Sequence, residues 1–116
     1  MENEHDHLFP KATREGIQMQ ERLAPAAMEA WRNFSRTVLQ EGALPAKTKQ
    51  LIALAIAHVT QCPYCIRSHT KDAMRKGATK EEMMEAIWIA AEMRAGAATA
   101  HAAIAIDEMM KQEQHG

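Results

Sequence analysis

The stretch Leu51-Ile52-Ala53-Leu54-Ala55-Ile56-Ala57-His58-Val59, running through Thr60-Gln61 into Cys62-Pro63-Tyr64-Cys65-Ile66-Arg67-Ser68-His69, decides the fold. Read as a helix opened by Pro45, it places Leu51, Leu54, Ala55, His58 and Val59 on one side, with Lys47 and Lys49 at its exposed start. Pro63 then stands at the first position of a second helix, which Gly77 closes. Two helices meeting at the cysteines make an all-α chain.

The flanking sequence agrees. Pro25 starts a helix to about Gln40, with Met28, Trp31, Phe34, Val38 and Leu39 at the spacing of a buried face, and Gly42 ends it. A shorter helix precedes it, from about Ala12 to Leu23, weakly anchored by Ile17 and Leu23. Thr79-Lys80-Glu81-Glu82 reads as a capping box for a helix running to Met93 that is apolar almost all round. A last helix is expected from about Ala97 to Lys111. The total is five to six helices. A helix apolar on every side needs neighbours on every side, so other subunits are expected to cover part of it. Residues 1–10 read as a flexible tail and residues 11–116 as a single domain.

Composition sets the outer bounds. The 116 residues suffice for one compact domain. There are 22 alanines and 9 methionines, but aromatics make up 4% and valine occurs twice, which is poor material for sheets and good material for helices. A net charge of −1 argues against nucleic acid or a membrane surface as partner. No apolar run approaches the roughly 18 residues of a bilayer span. The polar, acidic first residues are unlike a secretion signal, so a cytoplasmic location is expected.

Both cysteines lie in Cys62-Pro63-Tyr64-Cys65. At 100° per residue, Cys62, Cys65 and His69 share a stripe about 60° wide on one helix face. Modest adjustment of a first turn lets Cys62 and Cys65 close a disulfide. Cys62 sits at a helix N-terminus, where unpaired N–H groups and the helix dipole favour a thiolate. His69, one turn beyond Cys65, is placed to take its proton. Two thiols and a base are the minimum for thiol peroxidase or disulfide-exchange chemistry. The competing readings are a pair of inert buried cysteines, or a zinc site of Cys62, Cys65, His69 and His58; no second ligand pair supports the latter. His58, on the apolar face, is either a satisfied core histidine or a second proton-handling group, and His101 is similar. No cofactor is implied.

The run Leu44-Pro45-Ala46-Lys47-Thr48-Lys49-Gln50-Leu51-Ile52-Ala53-Leu54-Ala55, with Cys62-Pro63-Tyr64-Cys65-Ile66 and His69, resembles the carboxymuconolactone decarboxylase superfamily, and within it the alkylhydroperoxidase D (AhpD)-like branch. The similarity covers roughly residues 25–106. It implies an all-helical fold assembling as a homotrimer or homohexamer. It also implies that Cys65 attacks a hydroperoxide or other small oxidant and that Cys62, the more accessible thiol, resolves the product. An external dithiol, lipoyl or thioredoxin-like, then reduces the pair. Family members usually carry a Glu twelve residues before the first cysteine as a proton relay with the histidine. Here that position is Gln50, which can orient a water or the ring but cannot take a proton, so a weakened peroxidase is expected, with His58 a candidate substitute. Two other readings stay open. One is the lactone decarboxylase chemistry of the family name, which does not depend on a cysteine pair; the other is a non-enzymatic redox-sensing oligomer. Glutaredoxins also carry Cys-Pro-Tyr-Cys, but need a strand just before it.

Overall fold

The computed structural model describes residues 8–115. Among the described residues five helices follow in order, α1 (Arg14–Leu23), α2 (Pro25–Leu39), α3 (Ala46–Thr60), α4 (Pro63–Arg75) and α5 (Lys80–His115), and there is no strand. Residues 1–7 of the expected tail lie outside the described residues, as does Gly116.

Local chemistry sets most boundaries. The Thr13 hydroxyl accepts the Gly16 N–H at 3.1 Å, capping α1, and Pro25 occupies the first turn of α2. Lys49 Nζ donates to the carbonyls of Val38 (2.9 Å) and Gln40 (2.7 Å), so a cation from α3 satisfies the C-terminal end of α2. Gly77, with φ +89°, reverses the chain after α4; a side chain there would be strained. The capping box is present: Glu82 N–H donates to Thr79 Oγ1 (3.0 Å), and Thr79 N–H donates to Glu82 Oε1 (2.8 Å).

The centre of the molecule is α3, packed between α4 and α5. Leu54, Ala73 and Met83, one from each helix, form the buried core, with Leu51, Ala78 and Ile87 against it. Of α5, only the stripe through Met83, Ile87 and Ala90 turns toward this core, whereas Trp88, Ile89 and Met93 stand in the open.

Two sequence expectations differ from the structure. The segments expected as separate fifth and sixth helices are one helix of 36 residues, α5. Gly96 interrupts neither its hydrogen bonding nor its direction of winding, because one glycine costs about 1 kcal/mol in a helix and the surrounding alanines favour continuation. The expected buried face of α2 is largely uncovered: Trp31 is 61% exposed and Phe34 63%, and α1 and α2 contain no fully buried residue. The spacing is helical as read, but α1 and α3 touch α2 only lightly and leave Trp31 and Phe34 uncovered. The result is an elongated shape of 62 × 36 × 33 Å. Among the described residues no helix is long and apolar enough to cross a membrane.

The start of α5 carries an acid-sensitive contact. Lys47 Nζ pairs with Glu82 Oε2 at 2.9 Å, and this ammonium, helped by the Thr79 N–H, holds the Glu82 carboxyl below the ordinary glutamate range. A carboxylate whose folded value is depressed stabilises the fold fully above its unfolded pKa, about 4.3, and loses that contribution as pH falls through the folded value. In acid titrations of thermal stability, Glu82→Gln is therefore expected to flatten the decline below pH 5. Parallel curves for the two proteins would refute this.

Candidate redox site

The site is built where α3 ends and α4 begins. Gln61 closes α3 in the left-handed region (φ 56°, ψ 51°), turning the chain sharply enough for the Cys62 N–H to reach the Ala57 carbonyl at 3.2 Å. From α5, Arg94 Nη1 donates to the Val59 carbonyl at 3.0 Å and satisfies another free end of α3. Cys62 is then the N-cap of α4 and Pro63 its first residue, with the fixed φ and missing N–H suited to that place.

Cys62 and Cys65 are joined as a disulfide, with Cα atoms 5.2 Å apart. The Cys65 N–H points at Cys62 Sγ (3.2 Å), so that sulfur occupies the place where a helix N-terminus supplies a donor and the positive end of its dipole. Both cysteines are half-buried.

One turn beyond Cys65 on α4, His69 Nδ1 lies 2.8 Å from Gln50 Oε1. With the amide oxygen facing the ring, Nδ1–H donates and Nε2 carries the lone pair. Gln50 is 5% exposed, the single buried polar residue among those described, and it comes from the second turn of α3, 19 positions earlier. Gln50 thus holds the ring itself.

His58 lies apart from this pair. Its Nδ1 donates to the Leu54 carbonyl (2.9 Å) within α3, and the ring lines a shallow cleft with Gln61, Pro63, Ile66 and Arg67. His101 likewise bonds back to the Ala97 carbonyl (2.7 Å), on an exposed part of α5. Among the described residues no three His, Cys, Asp or Glu side chains converge as a set of metal ligands.

The sequence reading passed over Tyr64. Its hydroxyl donates to the Pro10 carbonyl at 2.6 Å, and its ring meets Phe9 edge-on at 6.4 Å, tying residues 9–10 to the cysteine turn. A phenol between two cysteines was the available signal, but its partner lies 54 positions away.

Comparison with known proteins bears on the family and the fold. The carboxymuconolactone decarboxylase family model matches residues 25–108, which take in α2, α3, α4 and most of α5. The chain belongs to the carboxymuconolactone decarboxylase family. Among its relatives, an uncharacterized protein of the cox locus of Paracoccus denitrificans is 64% identical over 74 residues, 64% of this chain and 67% of that one. An uncharacterized protein of Cupriavidus necator is 39% identical over 71% of this chain and 73% of its own length. Among solved structures, a protein of Methanobacterium thermoautotrophicum superposes with a TM-score of 0.67 at 35% identity, over 72% of this chain and 93% of the other. A family protein from Legionella pneumophila gives 0.63 at 34%, over 68% and 74%. A Thermotoga maritima family member, for which a part in an antioxidative response has been suggested, gives 0.57 at 30%, over 78% and 97%.

Proposed function

We propose that this family member is a thiol-dependent oxidoreductase of the AhpD-like type that reduces hydroperoxides through a Cys62–Cys65 dithiol/disulfide cycle. The observation that carries the reading is the disulfide at the first turn of α4, one turn before a histidine held by a buried amide. In the reduced protein, the Cys65 thiolate attacks the outer peroxide oxygen. The O–O bond breaks, an alcohol leaves with a proton, and Cys65 becomes a sulfenic acid. The Cys62 thiolate then attacks that sulfur, water leaves, and the disulfide forms. An external dithiol, lipoyl or thioredoxin-like, returns two electrons and two protons.

His69 Nε2 accepts the Cys65 proton, and Gln50 is a positioning residue that fixes which ring nitrogen is free. Gln50 cannot share the charge that forms on the ring, so the expected rate is low for such a site. The uncovered apolar faces of α2 and α5 fit assembly with further copies as a homotrimer or homohexamer.

The test is hydroperoxide consumption by the reduced protein, followed together with intact mass. One equivalent of peroxide is expected to lower the mass of the dithiol form by about 2 Da with no change in oligomer size, and an added dithiol to restore it. A disulfide that forms without turnover in the presence of reductant would support the redox-sensor reading instead.

A further inference from the structure

The buried amide of Gln50 has a second side. Its Oε1 is engaged by His69, but its Nε2 makes no hydrogen bond among the described residues. No fully buried side-chain nitrogen or oxygen lacks a partner among these residues, so the amide nitrogen opens to space rather than being sealed in. Gln50 lines a cleft of about 680 Å³ between α2 and α4. One wall is apolar, from Trp31 and Leu39 of α2. Among the described residues the rim is cationic: the Arg36 side chain bonds only to the neutral Asn33 side chain, Lys76 makes no ion pair, Arg75 pairs with Asp72, the one acid of the lining, and Arg32 pairs with Glu21 outside it.

We infer that this cleft binds a small amphipathic anion, an organic carboxylate with an aliphatic chain, and that its occupancy is felt at His69 through Gln50. An aliphatic chain lies on Trp31 and Leu39, where water is displaced from apolar surface. One carboxylate oxygen takes the cationic rim of Arg36 and Lys76, and the other accepts the amide N–H of Gln50. A neutral alcohol of equal length loses the charge attraction, and a cation of equal length is repelled. Because one amide joins cleft and imidazole, a ligand that draws on its N–H also alters the hydrogen bond that its oxygen accepts from Nδ1. The inference concerns binding and stands whether or not the protein turns over hydroperoxides.

The experiment uses octanoate, octanol and octyltrimethylammonium as probes, titrated into the full chain carrying Trp88→Phe, so that Trp31 is the one tryptophan. Fluorescence reports the cleft, and the His69 ring resonances report the relay. Octanoate is expected to saturate both signals at one concentration range, octanol to bind at least about tenfold more weakly, and the cation to give no saturation. The double substitution Arg36→Gln/Lys76→Gln should weaken octanoate at least about tenfold, and the His69 shift should disappear at concentrations that saturate the parent. Equal affinity for octanoate and octanol would overturn the inference, because it would mark a merely apolar groove. So would undiminished binding to the double variant, a cleft signal with no change at His69, or no saturable binding at all, as when another copy of the chain covers the cleft.

Discussion

Replacing Cys65 with serine is expected to reduce hydroperoxide consumption by roughly 10³-fold or more, to the uncatalysed background, because removing a nucleophile removes the step that all later ones depend on. A serine hydroxyl stays protonated at neutral pH and offers peroxide no comparable electron pair. Cys62→Ser should behave differently. It retains the attacking thiol, so it should consume about one equivalent of peroxide and then stop as a sulfenic acid that a dimedone-type probe captures. The pair of variants also decides the order of attack. Cys62 Sγ receives the Cys65 N–H at the helix N-terminus, which favours an anion there, whereas His69 follows Cys65 by one turn. If Cys65→Ser forms the trapped sulfenic acid and Cys62→Ser does not, the helix dipole outweighs the imidazole and the roles are reversed. Wild-type consumption by Cys65→Ser would eliminate the mechanism.

Gln50→Glu is expected to raise peroxide turnover by about 100-fold, the lower end of the range that proton-transfer assistance supplies. The carboxylate would accept the same Nδ1–H but would also stabilise the imidazolium formed when Nε2 takes the thiol proton. The gain should appear as a faster reaction of the reduced protein with peroxide, with unchanged reduction of the disulfide by dithiothreitol. Because position 50 is 5% exposed, the new charge is paired but poorly solvated, and the variant should lose some thermal stability as it gains rate. A Gln50→Glu protein that remains folded and reacts no faster would show that proton transfer at His69 does not limit the chemistry.

How far the sequence could be read depended on whether the relevant partner was near in the chain. Pro25, Pro63, Gly77 and the Thr79/Glu82 box act within a turn or two, and the helix limits they imply agree with the structure to within a few residues. The cysteine pair was legible for the same reason, three positions apart on one helix. The break expected between Met93 and Ala97 is absent, because a glycine such as Gly96 weakens a helix without ending it when alanine surrounds it. Burial on α2 was misread because periodicity shows which residues share a face, and whether anything covers that face is settled elsewhere. For the site, the bond between Gln50 and His69 came within reach only through family resemblance, since 19 residues separate them. The rim that brings Arg36 together with Lys76 had no local signature at all.

The anchoring of Tyr64 to Pro10 has a practical side. The chain has one tyrosine, and it stands between the two sulfurs that change partners. Its aromatic ring is therefore a built-in reporter: selective isotope labelling of a single amino-acid type places one observable beside the electron-accepting bond, with no dye and no substitution to disturb it.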